Sequence, residues 1–283
     1  MRPLVGIDAV VIEHSVYQGQ ELITFVIRAP KFLDAEIEKH RMFSSNSTSD
    51  RAIPFDRMKD AEFFIPSDIR KNQKGMQGFE QVCKDTAEEF KWDIHELRNE
   101  VIDTLALYPE VHKQHLNRYL LPWAYQTKII TTNNDWFNYF EALRDHPAAD
   151  PTIEMLAKAI KQSKEDSVAT VLKPGDWHVP YFNGAHGSGC WVEDVDTDSL
   201  EDALMISASC CAQVSFRSLV DTIEKARGVV EKLNLGGKDG EPVHASPLEH
   251  QATPMALVND EPNCGGNCMG KFGVEWEEGV THM

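Results

Sequence analysis

The sequence predicts an α+β domain, and three observations carry that prediction. Residues 21–29, within ELITFVIRAP, alternate around Ile23, Phe25 and Ile27 and stop at Pro30, the period of a half-buried strand. Behind Asp150-Pro151, the residues Ile153, Leu156, Ala157 and Ile160 recur at helical spacing, with proline at the first helical position. Neither an internal repeat nor a clean boundary separates such segments, so residues 1–283 are expected to form a single domain.

The elements follow in order. Strands are expected over 4–13 and 21–29. Residues 31–41 suit a short helix with Lys39, His40 and Arg41 at its end, and the serine-rich stretch after it reads as loop. Residues 78–106 read as a helix, with Phe79, Val82, Phe90, Ile94, Leu97 and Val101 set among many charges. A second helix over 109–121 is stopped by Pro122. KIITT (128–132) suits a short strand or part of a surrounding helix. Asn134 or Asp135 caps a helix ending near Arg144, and the Pro151 helix follows. Residues 166–197 are loop-like, marked by Pro174-Gly175 and GAHGSG. Helices are expected over 199–209 and 217–233 around a short VSF strand, then a flexible turn at 235–242 and an irregular tail. The single domain thus divides into stretches 1–160, 161–206, 207–255 and 256–283.

Lys and Arg number 28 against 45 Asp and Glu, a net charge of −17. That balance argues against general nucleic-acid binding, yet a local cationic cluster can still take a small phosphorylated ligand. No apolar run is long enough for a membrane span, and MRPLVGIDAVVIEH carries Asp8 and Glu13 inside its apolar stretch, unlike a signal peptide. A cytoplasmic location is the expectation. The six cysteines (Cys83, Cys190, Cys210, Cys211, Cys264, Cys268) are scattered and expected as free thiols. Asn46-Ser47-Thr48 fits a glycosylation sequon, which means little without secretion. His244 and His250 do not share a helical face and lack a third ligand at sensible spacing, so no metal is expected. Cys264 and Cys268 read as a zinc corner or as thiols of a flexible tail, the second being favoured.

The most informative stretch is KHRMFSSNSTSDR (39–51). By composition it is either a solvated polar loop or a phosphate site, in which arginine forks and the N–H groups of a serine-rich turn converge. Its spacing resembles the signature of flavin-dependent thymidylate synthases, Arg-His-Arg-x-x-Ser-x-Asn-x-x-Ser-x-Arg. His40, Arg41, Ser44, Asn46, Ser49 and Arg51 stand in register, and Lys39 replaces the first arginine. TFVIRAPKF (24–32) resembles the strand leading into that signature. LNRYLLPW (116–123) and WFNYFEALRDHPAADPTIEMLAKAI (136–160) resemble the family's later helices. CCAQVSF (210–216) and HASPLEH (244–250) resemble the family's usual N-terminal region, which there directly precedes the strand leading to the signature. Here that region follows Arg144, so the segment order resembles a circular permutation, as in longer phage-type members. WHVPYF (177–182) is similar to those members too.

The resemblance implies the family's fold, an antiparallel or mixed sheet flanked by helices. It implies reductive methylation of dUMP to dTMP, with methylenetetrahydrofolate and NADPH as cosubstrates and FAD as cofactor, in a homotetramer (in the host cytoplasm if phage-encoded). Ser49, Arg51 and Arg118 would hold the nucleotide phosphate, Arg118 from a neighbouring subunit. Arg144 would contact the uracil ring and stabilise charge developing on it. Lys39, His40, Arg41 and Asn46 would face the flavin, Ser215, Ser246 and Glu249 fall at flavin-contact positions, and His244 lies near the approach of folate or NADPH. There are departures. Glu36 replaces a Gln, Ser47 a Glu, Asp135 an Arg and Cys210 an Arg. They leave open a related flavin enzyme acting on another pyrimidine nucleotide, for instance by hydroxymethylation, and a non-catalytic nucleotide-binding protein with the same fold.

Overall fold

A computed structural model describes residues 4–75, 78–184, 187–188, 199–214, 222–235, 244, 246–254, 257–258, 261–262 and 276–278. Its centre is a five-stranded mixed sheet of order β3-β4-β2-β1-β5. β1 (Asp8–Tyr17) and β2 (Gln20–Pro30) form a hairpin, closed by Gln18 and Gly19, both with positive φ. β3 (Phe43–Ser47) and β2 each pair antiparallel with β4 (Tyr125–Asn133), and β5 (Thr170–Val171) lies parallel to β1.

The sheet is buried on both faces. One face carries Ile23, Phe25, Ile27 and Ile130 against α5 (Asn134–Arg144) and α6 (Pro151–Glu165), which contribute Trp136, Phe137, Phe140, Ile153, Leu156 and Ile160. The other carries Val26 and Ile129 against α7 (Leu200–Ala212) and α8 (Ile223–Leu233), with Tyr181 and Phe182 beside them. Caps fix the helix starts. Asp150 accepts from Thr152 and Ile153 N–H (2.9 and 3.3 Å), and Ser199 accepts from Asp202 N–H. α5 is capped by Asn133 and not by Asn134 or Asp135, the two expected caps.

The remaining helices are shorter. α1 (Asp34–Glu38) follows a 3-10 turn at Lys31–Leu33, so Lys39, His40 and Arg41 come just after the helix. α2 (Phe55–Lys59) and α4 (Lys113–Leu116) flank α3 (Lys84–Ala106) in chain order. Three small ribbons complete the described chain: β6 (Asn183–Gly184) with β7 (Gly187–Ser188), β8 (Ala252–Pro254) with β11 (Trp276–Glu278), and β9 (Leu257–Val258) with β10 (Glu261–Pro262). None of the described helices is long and apolar enough to cross a membrane.

Several expectations shift. The serine-rich stretch is a strand, because β3 pairs five residues with β4 and its polar side chains find partners there. Residues 79–82 lie outside the long helix. Lys71 N–H bonds to Glu80 O and Val82 N–H to Ile69 O, which hold them extended. Phe79, Phe90 and Leu97 are exposed, and α3 packs instead through Val101, Ile102 and Leu105 on Met58 and Leu120. The helix expected over 109–121 is α4 plus a 3-10 segment, Asn117–Trp123, whose tighter turns accommodate Pro122. The VSF strand and the 235–242 turn fall mostly outside the described residues.

Candidate active site

His40 lies just after α1. Its ring is buried and edge-on to Trp136, Tyr139 and Phe140, and its carbonyl accepts from Trp136 Nε1–H (2.7 Å). Arg144, at the end of α5, donates from Nε to His40 Nε2 (3.2 Å) and places Nη1 3.4 Å from Glu36 Oε2. An imidazole accepting at Nε2 carries its proton on Nδ1 and is neutral. Burial first, and the Arg144 charge second, hold the His40 pKa below the usual histidine range. The structure therefore joins His40, Arg144 and Glu36, drawn from 104 and 108 residues apart, into one partly buried group.

β3 carries the next residues. Its side chains alternate, so Ser44 and Asn46 face α7 while Ser45 faces α1. Ser44 Oγ donates to Glu249 Oε2 (3.1 Å), a contact across 205 residues. Asn46 Nδ2 donates to Cys211 O (3.2 Å). On the opposite face Ser45 donates to Glu38, which also pairs with the buried Lys128. Lys128 lies 2.6 Å from Asp34 as well. Burial pushes the Asp34 carboxyl up, but the Lys128 hydrogen bond and charge outweigh it and bring the pKa down.

Ser49 and Arg51 sit on the exposed turn after β3. That turn is anchored by Asn117, fully buried, whose Nδ2 donates to Asp50 O (2.8 Å) and Ile53 O (2.9 Å). Lys113 Nζ donates to Ala52 O (2.8 Å). Arg118 follows Asn117 directly and is exposed, so one buried amide couples the segments of Arg51 and Arg118. Lys39, Arg41, Arg51 and Arg118 are all exposed, and none forms an ion pair among the described residues. On a chain of net charge −17, two of these cations precede β3, Arg51 lies on the turn that follows it, and Arg118 lies on the segment that Asn117 ties to that turn.

Other candidates are placed differently. Ser246 and Glu249 share one turn, with Glu249 N–H donating to Ser246 O (3.3 Å), and His244 is exposed ahead of it. Ser215 lies outside the described residues. His250 is fully buried against Thr131 (2.8 Å), which separates it from the exposed His244. Among the described residues no group of three metal-ligating side chains converges; Cys264 and Cys268 lie outside them. Cys83, Cys210 and Cys211 are free thiols, the last two buried under the sheet, so an arginine in place of Cys210 would have to enter an apolar cluster. Sequence reasoning missed Asn117, Thr24, Thr131 and His178. The one signal was a hydroxyl residue inside each apolar run, Thr24 in LITFVI and Thr131 in KIITT.

The profile of the family described as thymidylate synthase complementing protein matches residues 11–167, more than half of the chain. The chain belongs to this family. A flavin-dependent thymidylate synthase of Aquifex aeolicus (strain VF5) is 28% identical over 148 residues. The match spans 50% of this chain and 45% of that protein, so the chain spans about half the length of the curated relative it matches. The thymidylate synthase complementing match takes in β3, α5 and α6 and ends before the turn that carries Glu249.

Proposed function

We propose that this chain is a flavin-dependent thymidylate synthase, converting dUMP to dTMP with methylenetetrahydrofolate, FAD and NADPH, and that it works as a homotetramer. The observation that carries the reading is the Ser44–Glu249 hydrogen bond. It seats a segment expected at the flavin against the signature strand, although the two are far apart in sequence. The same contact supports a permuted order. Ala252 packs with Leu22 at the start of β2, where the family's usual connection would run directly from such a segment into the strand.

The residues fit a flavin nucleotide. Glu249, Ser44 and Asn46 offer a carboxylate, a hydroxyl and an amide on one side of β3, and Lys39 and Arg41 are unpaired cations beside it. When bound, the flavin supplies the hydride chemistry. The chain's own work is binding and polarisation. Arg51 and Ser49, with Arg118 of a neighbouring subunit, hold the nucleotide phosphate, the guanidinium forks giving bidentate contacts. Arg144 faces the pyrimidine and stabilises negative charge developing on the ring, a preorganised electrostatic role. His40 fixes the direction of that guanidinium without adding charge, because it is neutral. Asn46, Ser215, Ser246 and Glu249 contact the flavin, and His244 lines the approach of the cosubstrate.

A second reading rests on Glu36. A carboxylate only accepts hydrogen bonds when ionised, and it stands 3.4 Å from Arg144. That edge favours a ring bearing an amino donor, so dCMP becomes the alternative substrate. Product analysis with isotopically labelled methylenetetrahydrofolate separates them. Label in dTMP from dUMP supports the first reading. Label only in a dCMP-derived product supports the second, and no label in either overturns both.

A further inference from the structure

We propose that a buried polar row across the sheet is the seat on which residues 249–252 dock, and that His250, Thr131, Thr24 and His178 are positioning residues for Glu249. The role of Glu249 at the flavin rests on the function proposed above; the seat itself does not.

The row is written in the strand register. Ser44 lies opposite Thr131, Thr131 opposite Thr24, and Thr24 opposite Glu13, so one polar residue from each of β3, β4, β2 and β1 stands in line. Their exposures are 1, 0, 0 and 2%. The neighbouring row on the same face, Ile129, Val26 and Val10, is apolar. A bulge makes the line possible. Between Val11–Phe25 and Glu13–Thr24 the register skips Ile12, which reverses the alternation of β1 and turns Glu13 and Ser15 to the α7 face.

Buried hydroxyls and carboxylates are costly without partners, and two fully buried histidines supply them here. Donor counting sets the direction. Ser15 O–H donates to Glu13 (3.4 Å), so His178 Nδ1–H must donate to Ser15 (2.9 Å). His178 then accepts at Nε2 from Thr24 (2.7 Å), Thr24 accepts from Thr131 (2.7 Å), and Thr131 accepts from His250 Nδ1–H (2.8 Å). Each hydroxyl in the series donates once, and both imidazoles carry the proton on Nδ1.

Four consecutive residues of the docked segment are anchored by this arrangement. Glu249 meets Ser44 at the end of the row, and His250 meets Thr131. Gln251 donates to Leu204 O (2.5 Å), and Ala252 exchanges backbone hydrogen bonds with His178 (2.7 and 3.3 Å). Glu249 therefore owes its place to its neighbour His250, which is held from below by a chain of hydroxyls.

The test compares Thr131→Val, which keeps shape and removes the hydroxyl, with Thr131→Ser, which keeps the hydroxyl. Amide hydrogen exchange is followed in peptides covering 246–254 and, as a control for the fold, 151–165. FAD affinity is measured on the same proteins. Thr131→Val is expected to speed exchange in 246–254 alone and to weaken FAD binding about tenfold or more, with Thr131→Ser close to the parent in both. Unchanged exchange at 246–254, or equal loosening of 151–165, overturns the proposal. If the parent protein takes up no FAD, the flavin reading fails, and the exchange comparison alone decides whether the row seats the segment.

Discussion

Arg144 is held by two side chains of opposite character, a neutral imidazole and a carboxylate, and this sets what single residues should do. If it stabilises charge on the pyrimidine, Arg144→Ala should lower kcat by about a hundredfold or more, while flavin absorbance stays that of the parent. Steady-state kinetics on flavin-loaded protein checks it; an unchanged kcat would remove Arg144 from the chemistry. A second residue-scale prediction concerns pH. Burial holds His178 well below the usual histidine range, with the neighbouring His14 and His250 charges acting the same way. Below about pH 6.5 the unfolded chain binds a proton there that the folded chain refuses, so stability rises with pH in this window. Urea unfolding should show stability falling as the pH drops below that value. His14 and His40, also lowered mainly by burial, add in the same direction. A flat stability between pH 7 and pH 5 would contradict the neutral, buried assignment. Residue identities in the signature were legible because their spacing is local. The side-chain partners of His178 and His250 were not, since each lies more than a hundred residues away along the chain.

At the scale of elements, the periodic segments were the readable ones. α6 begins and ends close to where Asp150-Pro151 and its apolar face require. Asp150→Ala should cost about 1 kcal/mol in denaturant unfolding, because two N–H groups lose their acceptor. A change within a few tenths of that of a surface control would mean the cap contributes nothing. β3 was not readable: FSSNS has the composition of a loop and becomes a strand only because β4 lies open beside it. The bulge in β1 was equally hidden, since one skipped residue leaves no mark in composition while it decides which face Glu13 and Ser15 occupy. Helix lengths failed where backbone contacts outside the helix competed, as with residues 79–82 docking on 69–71.

Across the whole molecule, a sheet covered on both faces brings together segments that the chain order keeps apart. The signature strand is at its edge, α5 and α6 cover one face, and α7 with the docked segment 249–252 covers the other. The α+β class was legible from period alone. The resemblance put Glu249 and the signature at one flavin, but the contact of Ser44 with Glu249 was not legible, because no local pattern links residues 205 apart. On this acidic chain, Lys39 and Arg41 lead into the signature strand and Arg51 follows it, all three exposed. The direct test is a visible spectrum of the purified protein with added FAD, titrated with dUMP. Protein-bound flavin bands that shift as dUMP is added are expected, placing both ligands in one site. No bound flavin at micromolar protein would contradict the proposed function.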